Sequence, residues 1–206
     1  MSDTHYSPTA RSLSPAAQAV LEAVAGRARP GTVIVVAGLP ASGKTTTSTT
    51  LADLSEAIVL DKDTYAPLLE QSIMSELTGD AFDRDSDTYR TMVSPHLYAS
   101  LATVACAVAQ KCPVILDAPF LSFVSAAAAS GISLGDRIKA VAGDPAVQIV
   151  TVWVTTDPAH IRSRMLARGA ARDASKLADF DTYRTTVLES GICELGRKVT
   201  DHHIET

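Results

Sequence analysis

The chain has 206 residues, 46% of them hydrophobic but only 5% aromatic, and its formal net charge is −5 at pH 7. This length fits one domain with a full-sized core, and the acidic balance argues against a protein that binds nucleic acid over a wide surface. The apolar residues are mainly Ala, Val, Leu and Ile, which is typical of helices packed on a buried parallel sheet.

The first half of the chain predicts helices that alternate with strands. The elements are, in order, a loose arm over 1–13, a short helix that begins at Ser14-Pro15 and ends near Gly26, a strand over 32–38, a helix over 44–54, a strand over 57–61, a mainly helical stretch over 62–77 and a polar, acidic connection over 78–87. Proline in the first turn and glycine after the last turn are the usual bounds of a helix.

The second half continues the same alternation. We expect a helix over 88–110 with Pro95 in an early turn or at a kink, a strand over 113–120, a helical stretch over 121–143 with a break at 131–135, a strand over 147–156, a helix from Asp157-Pro158 toward Arg168, a helix over about 179–189 and a short last strand in 201–206. Strands alternating with helices predict an α/β fold with a doubly wound parallel sheet of about five strands. The predicted organisation is an arm and short helix over 1–30, followed by one domain over 31–206.

Neither the cysteines nor the apolar segments indicate an extracellular or membrane protein. The three cysteines have neither an even count nor metal-ligand spacing, which favours reduced thiols in the cytoplasm. The first residues lack an apolar signal core, and we expect no run of the roughly 18 apolar residues that span a membrane. We therefore expect a cytoplasmic protein, monomeric or homodimeric.

A glycine-rich loop follows the first strand. Residues 38–45, GLPASGKT, fit the pattern G-x-x-x-x-G-K-[ST], in which glycines let the backbone N–H groups turn toward phosphate oxygens at the start of a helix. Lys44, on an exposed loop, would reach the β- and γ-phosphates of ATP, and the Thr45 hydroxyl would ligate Mg²⁺. The residues predicted to contact the nucleotide are Gly38, Pro40, Ala41, Ser42, Gly43, Lys44, Thr45 and Thr46.

This loop alone does not separate a kinase from other phosphate-binding proteins. A GTPase would carry an N-K-x-D base-recognition motif, which the sequence lacks, and a large motor ATPase needs a longer chain. A regulatory module that binds ATP without transferring phosphate remains an alternative.

Two aspartates, Asp61 and Asp63, end the second strand, where ligands of open α/β sheets gather. A kinase acting on an alcohol needs a carboxylate that orients the hydroxyl and takes its proton. These residues are therefore candidate catalytic groups. The alternatives are solvated loop acids, or an Asp63 that only caps the next helix.

Residues 160–176 are strongly basic, with four arginines and one lysine against a single acid, Asp173. Arg164 and Arg168 are i,i+4 neighbours on one helix face, and Arg172 follows a glycine. Planar guanidinium groups suit the charge on a transferring phosphoryl group, so Arg164 and Arg168 are candidate catalytic residues. The alternative is a solvated basic helix face.

Four segments carry a family resemblance. GLPASGKTT, LDKDTY, VILDAPFL and RSRMLARGAARD resemble, in order and spacing over about 32–190, the P-loop kinases grouped with polynucleotide kinase, zeta toxins and chloramphenicol phosphotransferase. The resemblance implies that Asp63 is the catalytic base, with Asp61 as an alternative base or Mg²⁺ contact. It also implies that a small arginine-rich lid, about 164–178, closes over ATP, with Arg168 and Arg172 on the nucleotide.

Asp117 ends the third strand, at the place of a Walker-B-type acid. We expect it to contact Mg²⁺ through water or to contact the Thr45 hydroxyl; the alternative is a strand-end acid that caps the following turn. Phe120 and Phe123 are candidates for the acceptor pocket, with plain core packing as the alternative.

Two departures from the resembling families bear on the acceptor. Polynucleotide kinases have an arginine three residues after the base, where this chain has Ala66, and APLLEQ does not continue as zeta toxins do. The sequence therefore predicts an ATP- and Mg²⁺-dependent kinase for a small hydroxylated metabolite or antibiotic, with no nucleic acid partner. A polynucleotide-end kinase or toxin is the remaining alternative.

Overall fold

The fold is built on a five-stranded sheet. The structure, a computed structural model, describes residues 13–206, so the predicted arm lies outside it apart from Leu13. The strands are β1 Thr32–Gly38, β2 Ile58–Asp61, β3 Val114–Asp117, β4 Gln148–Thr155 and β5 His202–Glu205. All pair in parallel, in the order β2-β3-β1-β4-β5, which confirms the predicted α/β fold. The carboxyl ends of the strands therefore meet at one edge of the sheet.

Helices cover both faces of the sheet. They are α1 Pro15–Ala25, α2 Lys44–Ser55, α3 Lys62–Tyr65, α4 Pro67–Thr78, α5 Ser94–Ala109, α6 Leu121–Ser130, α7 Leu134–Ala142, α8 Pro158–Arg168, α9 Ala174–Ala178, α10 Phe180–Tyr183 and α11 Ile192–Val199. The side chains of the fully buried strand β1 point alternately into two cores. Val33 and Val35 face α5, α6 and α7, whereas Ile34 and Val36 face α1 and α2. Because side chains alternate along a strand, β1 holds the two layers together.

The helix predicted over about 179–189 is interrupted. Its place is taken by α10 and a π-helical turn, Arg184–Leu188. The sequence predicts no helix where α11 lies. The short last strand, β5, is where it was predicted. In the sequence, charged residues such as Glu194 and Arg197 interrupt the apolar pattern of α11. Its apolar face, with Ile192 and Val199, nevertheless packs on the core.

The long helix over 88–110 is also irregular. Tyr89–Val93 is a π-helical turn, and α5 begins at Ser94 with Pro95 in its first turn. Pro95 therefore stands in an early turn, the first of the two placements expected for it, where its missing N–H costs no hydrogen bond of the helix.

By length and composition alone, one helix among residues 13–206 could cross a membrane: Tyr89–Ala109, with mean hydropathy 1.4. The expectation that no segment is long and apolar enough is wrong by this measure. The buried side chains of this helix, such as Leu101 and Ala105, nevertheless belong to the core beside β1 and β3. Its packing is that of a core helix in an α/β domain.

Candidate active site

The loop over residues 38–45 joins β1 to α2 at the carboxyl edge of the sheet. Gly38 has φ +151° and a β-carbon there would lie 2.3 Å from the Val154 carbonyl oxygen, while Gly43 has φ +100° and its β-carbon would lie 2.8 Å from the Thr206 hydroxyl. Only glycine fits both positions. Gly43 is also the N-cap of α2 and offers no side-chain acceptor, so the first N–H groups of the helix are open to an anion.

Lys44, the first residue of α2, is buried, so the prediction that it lies exposed on the loop is wrong. Its Nζ donates to the Leu39 carbonyl oxygen at 2.9 Å. Burial lowers the pKa of Lys44 to about 8, with Arg168 adding to the shift, while Asp117, Asp63 and Asp61 oppose it. The predicted lysine, the three acids and a lid arginine thus lie within one electrostatic neighbourhood. An anion bound in the loop would favour the charged amine further.

Asp61 and Asp117 are neighbours across the sheet, because β2 and β3 pair with these residues in register. Asp117 is 3% exposed and accepts from the Ser48 hydroxyl at 3.0 Å, so its hydroxyl partner is Ser48 and not the predicted Thr45. Burial, with Asp61 and Asp63 nearby, raises the pKa of Asp117 to about 6, although Lys44 and Ser48 oppose this. The pair gives the sheet edge concentrated negative charge.

The carboxylate of Asp117 should therefore destabilise the protein without ligand. Between about pH 4 and about pH 6 the folded state keeps a proton on Asp117 that the unfolded chain has released, so stability falls as pH rises through this window. We expect Asp117→Asn to raise the free energy of unfolding at pH 7 by about 1–3 kcal/mol. Urea unfolding at pH 4.5 and pH 7.5 measures this, and an asparagine variant no more stable than the parent at pH 7.5 would contradict it.

Asp63 lies on the short helix α3, with its side chain 38% exposed. Its Oδ2 is 2.9 Å from Arg172 Nη2, and its Oδ1 is 3.7 Å from Lys62 Nζ. The helix cap is Asp61, whose Oδ1 accepts from the Asp63 N–H at 2.9 Å. Burial raises the pKa of Asp61, and that N–H opposes the shift. Asp61, and not Asp63, therefore caps α3. The side chain of Asp63 instead contacts Arg172 of the lid.

Three predicted lid arginines point toward the loop or the acids. Arg164 Nη1 donates to the Ala41 carbonyl oxygen at 3.2 Å and to the Thr206 hydroxyl at 3.1 Å. Arg168 makes a two-point ion pair with buried Asp173, at 2.5 and 2.7 Å, which raises the pKa of Arg168. Arg172 Nη2 pairs with Asp63 and also interacts electrostatically with Asp61, and its predicted contact with the nucleotide stays a prediction. The lid is therefore held over the sheet edge.

Three residues that contact the predicted site residues are not among the predicted ones: Thr206, Ser48 and Asp173. Thr206 donates from its hydroxyl to the Ser42 carbonyl oxygen at 2.7 Å and also binds Arg164, and only the pairing of β5 with β4 brings it there. Ser48 could have been found, because it lies one helical turn after Lys44 on the face that meets β3. Asp173 was noted only as the lone acid of the basic segment.

A cleft of about 110 Å³ lies beside Asp63. Its lining includes two arginines and two acids together with Phe82 and residues from the middle of the lid: Asp63, Pro67, Glu70, Gln71, Phe82, Arg84, Ala170, Ala171 and Arg172. The lid also contacts the acidic connection, because Lys176 Nζ lies 2.6 Å from Asp85 Oδ2. The candidate base Asp63 is itself part of the lining of this cleft.

Phe120 and Phe123 do not line that cleft. Phe120 is fully buried and Phe123 is 7% exposed, and both pack edge-on or tilted against Tyr98 with ring centroids 5.0 and 5.8 Å away. Their proposed place in the acceptor pocket is wrong, because Phe120, the N-cap of α6, and Phe123, in its first turn, both pack into the core.

Within residues 13–206, no group of three or more His, Cys, Asp or Glu side chains is placed to hold a metal ion. Mg²⁺ is commonly held by one or two carboxylates together with substrate phosphates and water, and buried Asp117 beside Asp61 is a donor set of that kind. Thr45 is exposed at the start of α2. The residues present therefore fit Mg²⁺ that arrives with a nucleotide.

A parallel sheet whose central strand runs through a glycine loop into a helix, with a buried lysine at its start, defines a P-loop NTPase. The chain belongs to the AAA domain family AAA_33, whose sequence profile matches residues 33–187. No curated protein sequence matches the chain.

Solved structures similar to this chain include three kinases. Shikimate kinase from Acinetobacter baumannii in complex with shikimate is 16% identical over 85% of this chain and 83% of its own, with a TM-score of 0.44. The APS kinase of Mycobacterium tuberculosis in complex with AMPPNP and APS is 21% identical over 68% and 73%, with 0.47. A gluconokinase from Sinorhizobium meliloti 1021 is 17% identical over 84% and 77%, with 0.44. Likeness at this level says nothing about what this chain acts on.

Proposed function

We propose that the protein is an ATP- and Mg²⁺-dependent phosphotransferase that acts on a hydroxyl of a small molecule. One observation carries this: Asp63 lines the cleft of about 110 Å³, lies within the electrostatic reach of Lys44 and is ion-paired with Arg172 of the lid. A module that only binds nucleotide needs neither a carboxylate at that point nor a lid that reaches it.

Each residue then has a defined task. The loop N–H groups and Lys44 bind the phosphates, and Thr45 with Asp117 would hold Mg²⁺, which neutralises phosphate charge when bound. Asp63 orients the acceptor hydroxyl and accepts its proton. Arg164 and Arg168 stabilise the charge on the transferring group, with Asp173 holding the Arg168 guanidinium in its plane.

The direct test is phosphoryl transfer. The protein with ATP and Mg²⁺ is screened against hydroxylated metabolites and antibiotics for ADP formation, and each phosphorylated product is identified by mass spectrometry. We expect ADP formation that depends on one acceptor class and is lost in Asp63→Asn. ATP binding with no acceptor-dependent ADP formation would favour the regulatory module, and transfer to the 5′ end of an oligonucleotide would favour the polynucleotide-end kinase.

We also propose that the reaction takes place in the cytoplasm, where ATP is available. The free thiols of Cys106, Cys112 and Cys193 support this proposal, since free thiols persist in a reducing compartment.

The lid arginines give a further prediction. If Arg168 meets the transferring phosphoryl group, its contact strengthens as charge develops, so Arg168→Ala should lower kcat by about 10²-fold or more and change ATP affinity less. Arg164→Ala should act in the same direction. Arg168→Lys should rescue poorly, because lysine cannot make the two-point contact with Asp173.

Arg162→Ala is the matched control for the lid, because Arg162 lies on α8 but stacks over the Phe180 ring, 5.7 Å from its centroid. Calorimetry gives the ATP affinity, and steady-state transfer gives kcat. Equal loss of ATP affinity in the Arg164 and Arg168 variants with kcat untouched would show that the lid only holds nucleotide.

A further inference from the structure

On the acceptor side of the sheet edge, three donors converge on one buried carboxylate oxygen. Glu70 Oε1 accepts from Lys62 Nζ at 2.7 Å and from the Tyr89 hydroxyl at 2.5 Å, and lies 3.1 Å from Arg84 Nε. Lys62, Glu70 and Arg84 are 8%, 4% and 13% exposed at their side chains. We call these four residues the Glu70 cluster.

The Glu70 cluster carries two cations against one anion in a nearly dry setting. Lys62 also lies 3.7 Å from Asp63, which is paired with Arg172, and the carboxylate of Asp83 interacts electrostatically with Arg84. Each cation around the cleft therefore has a carboxylate beside it. What a ligand anion could use here is the fixed position of the guanidinium groups, not an excess of positive charge.

The phosphate-loop side is lined differently. There the carboxylates of Asp61 and Asp117 lie near Lys44 and suit a divalent cation. Arg168 is paired with Asp173, and Arg164 donates to the Ala41 carbonyl oxygen of the loop. The guanidinium groups that line the cleft next to Asp63 are those of Arg84 and Arg172.

The Arg84 guanidinium is also fixed in orientation. Its Nη1 donates to the carbonyl oxygens of Ala81 and Asp83 at 3.0 and 2.9 Å, and its Nε is held by Glu70. Arg84 and Arg172 both line the cleft of about 110 Å³ next to Asp63. A fixed guanidinium binds a planar anionic group more selectively than a mobile ammonium does.

We propose that the acceptor carries an anionic group, a carboxylate or a phosphate, on the same small molecule as its hydroxyl, and that Arg84 and Arg172 bind this group. The proposal rests on the proposed function. Glu70 is a positioning residue that orients Arg84 and Lys62. The acceptor hydroxyl then lies toward Asp63, because Asp63 shares the cleft with both arginines.

The test compares anionic probes with neutral counterparts of similar shape. The full chain, loaded with Mg²⁺ and a non-hydrolysable ATP analogue, is titrated by calorimetry with glycerate, glycerol 3-phosphate and gluconate, and with glycerol and glucitol, at constant ionic strength. We expect at least one anion to bind tenfold or more tightly than its neutral counterpart. Glycerate against glycerol 3-phosphate separates a carboxylate from a phosphate.

The variants assign the preference to the cleft. Arg84→Gln and Arg172→Gln should each reduce anion affinity by about tenfold to 10²-fold, the usual range for one charged hydrogen-bonding group. Arg90→Gln is the matched control, because it removes the same charge from an arginine that pairs with Asp87 and does not line the cleft. Should Arg84→Gln not fold, Arg84→Lys keeps a charge beside Glu70 but loses the planar contact, and Arg172 lies on the lid with its side chain 40% exposed.

Two results would overturn the proposal: no anion that binds tenfold more tightly than its neutral counterpart, or an anion preference that survives in the Arg84 and Arg172 variants. The binding test needs no phosphoryl transfer, so it stands apart from the test of the proposed function. Selective anion binding without ADP formation from any acceptor would support the charge assignment and contradict the kinase. Efficient phosphorylation of neutral alcohols alone would support the kinase and contradict the anionic acceptor.

Discussion

Replacing Asp63 with asparagine should leave ATP bound with ordinary affinity but lower kcat by about 10²–10⁴, the range for loss of a general base. Asparagine keeps the size of the side chain and can still accept a hydrogen bond from Arg172, but it cannot take the proton of the acceptor hydroxyl. Both partners of the Asp63–Arg172 ion pair are partly exposed. Because such a pair contributes little to stability, we expect the variant to fold. Steady-state ADP formation beside calorimetric ATP titration separates the two effects.

Asp61→Asn is the matched control, because asparagine also caps helices well and would still accept from the Asp63 N–H. An inactive Asp61→Asn with an active Asp63→Asn would move the base two residues upstream. If Asp61 contacts Mg²⁺ instead, its variant should need more Mg²⁺ for half-maximal rate, whereas Asp63→Asn should not. Titrating Mg²⁺ against rate in both variants decides between these roles.

Replacing Lys44 with alanine should remove most ATP affinity and lower kcat by about 10²–10³, the loss found for one donor aimed at developing charge. The fold should survive, because removing a buried amine whose pKa is lowered to about 8 by desolvation removes an unfavourable charge. Circular dichroism checks the fold of the variant. Ordinary ATP turnover by a folded Lys44→Ala protein would show that the loop does not hold the phosphates.

The lowered pKa of Lys44 adds a dependence on pH. The amine of the ligand-free protein loses its proton above about pH 8, so ATP affinity should fall as the pH rises from 8 to 9.5, approaching tenfold per unit if only the charged amine binds. Asp117 raises the pKa of Lys44, so Asp117→Asn should move this fall to lower pH. A flat affinity across this range in the parent protein would show that the charge of Lys44 is not needed.

The phosphate loop and the order of strands and helices could be predicted from sequence because their signals are local. Residues 38–45 follow one another in the chain, and each has its role through backbone geometry or the start of the next helix. The same holds for Asp61 and Asp117 at strand ends, since parallel strands carry their carboxyl ends to one edge. Arg164 reaches the loop because one helix, α8, aims it there.

Tertiary structure decided the contacts between segments that are far apart in the chain. The Asp63–Arg172 pair, the Glu70 cluster and the Thr206 contact with the loop depend on how α3, α4, the lid and β5 pack. No local pattern reports such packing. Phe120 and Phe123 show the same limit, because an aromatic residue after a strand can face a pocket or the core. Here the backbone at the start of α6 decides the question, and both rings face the core.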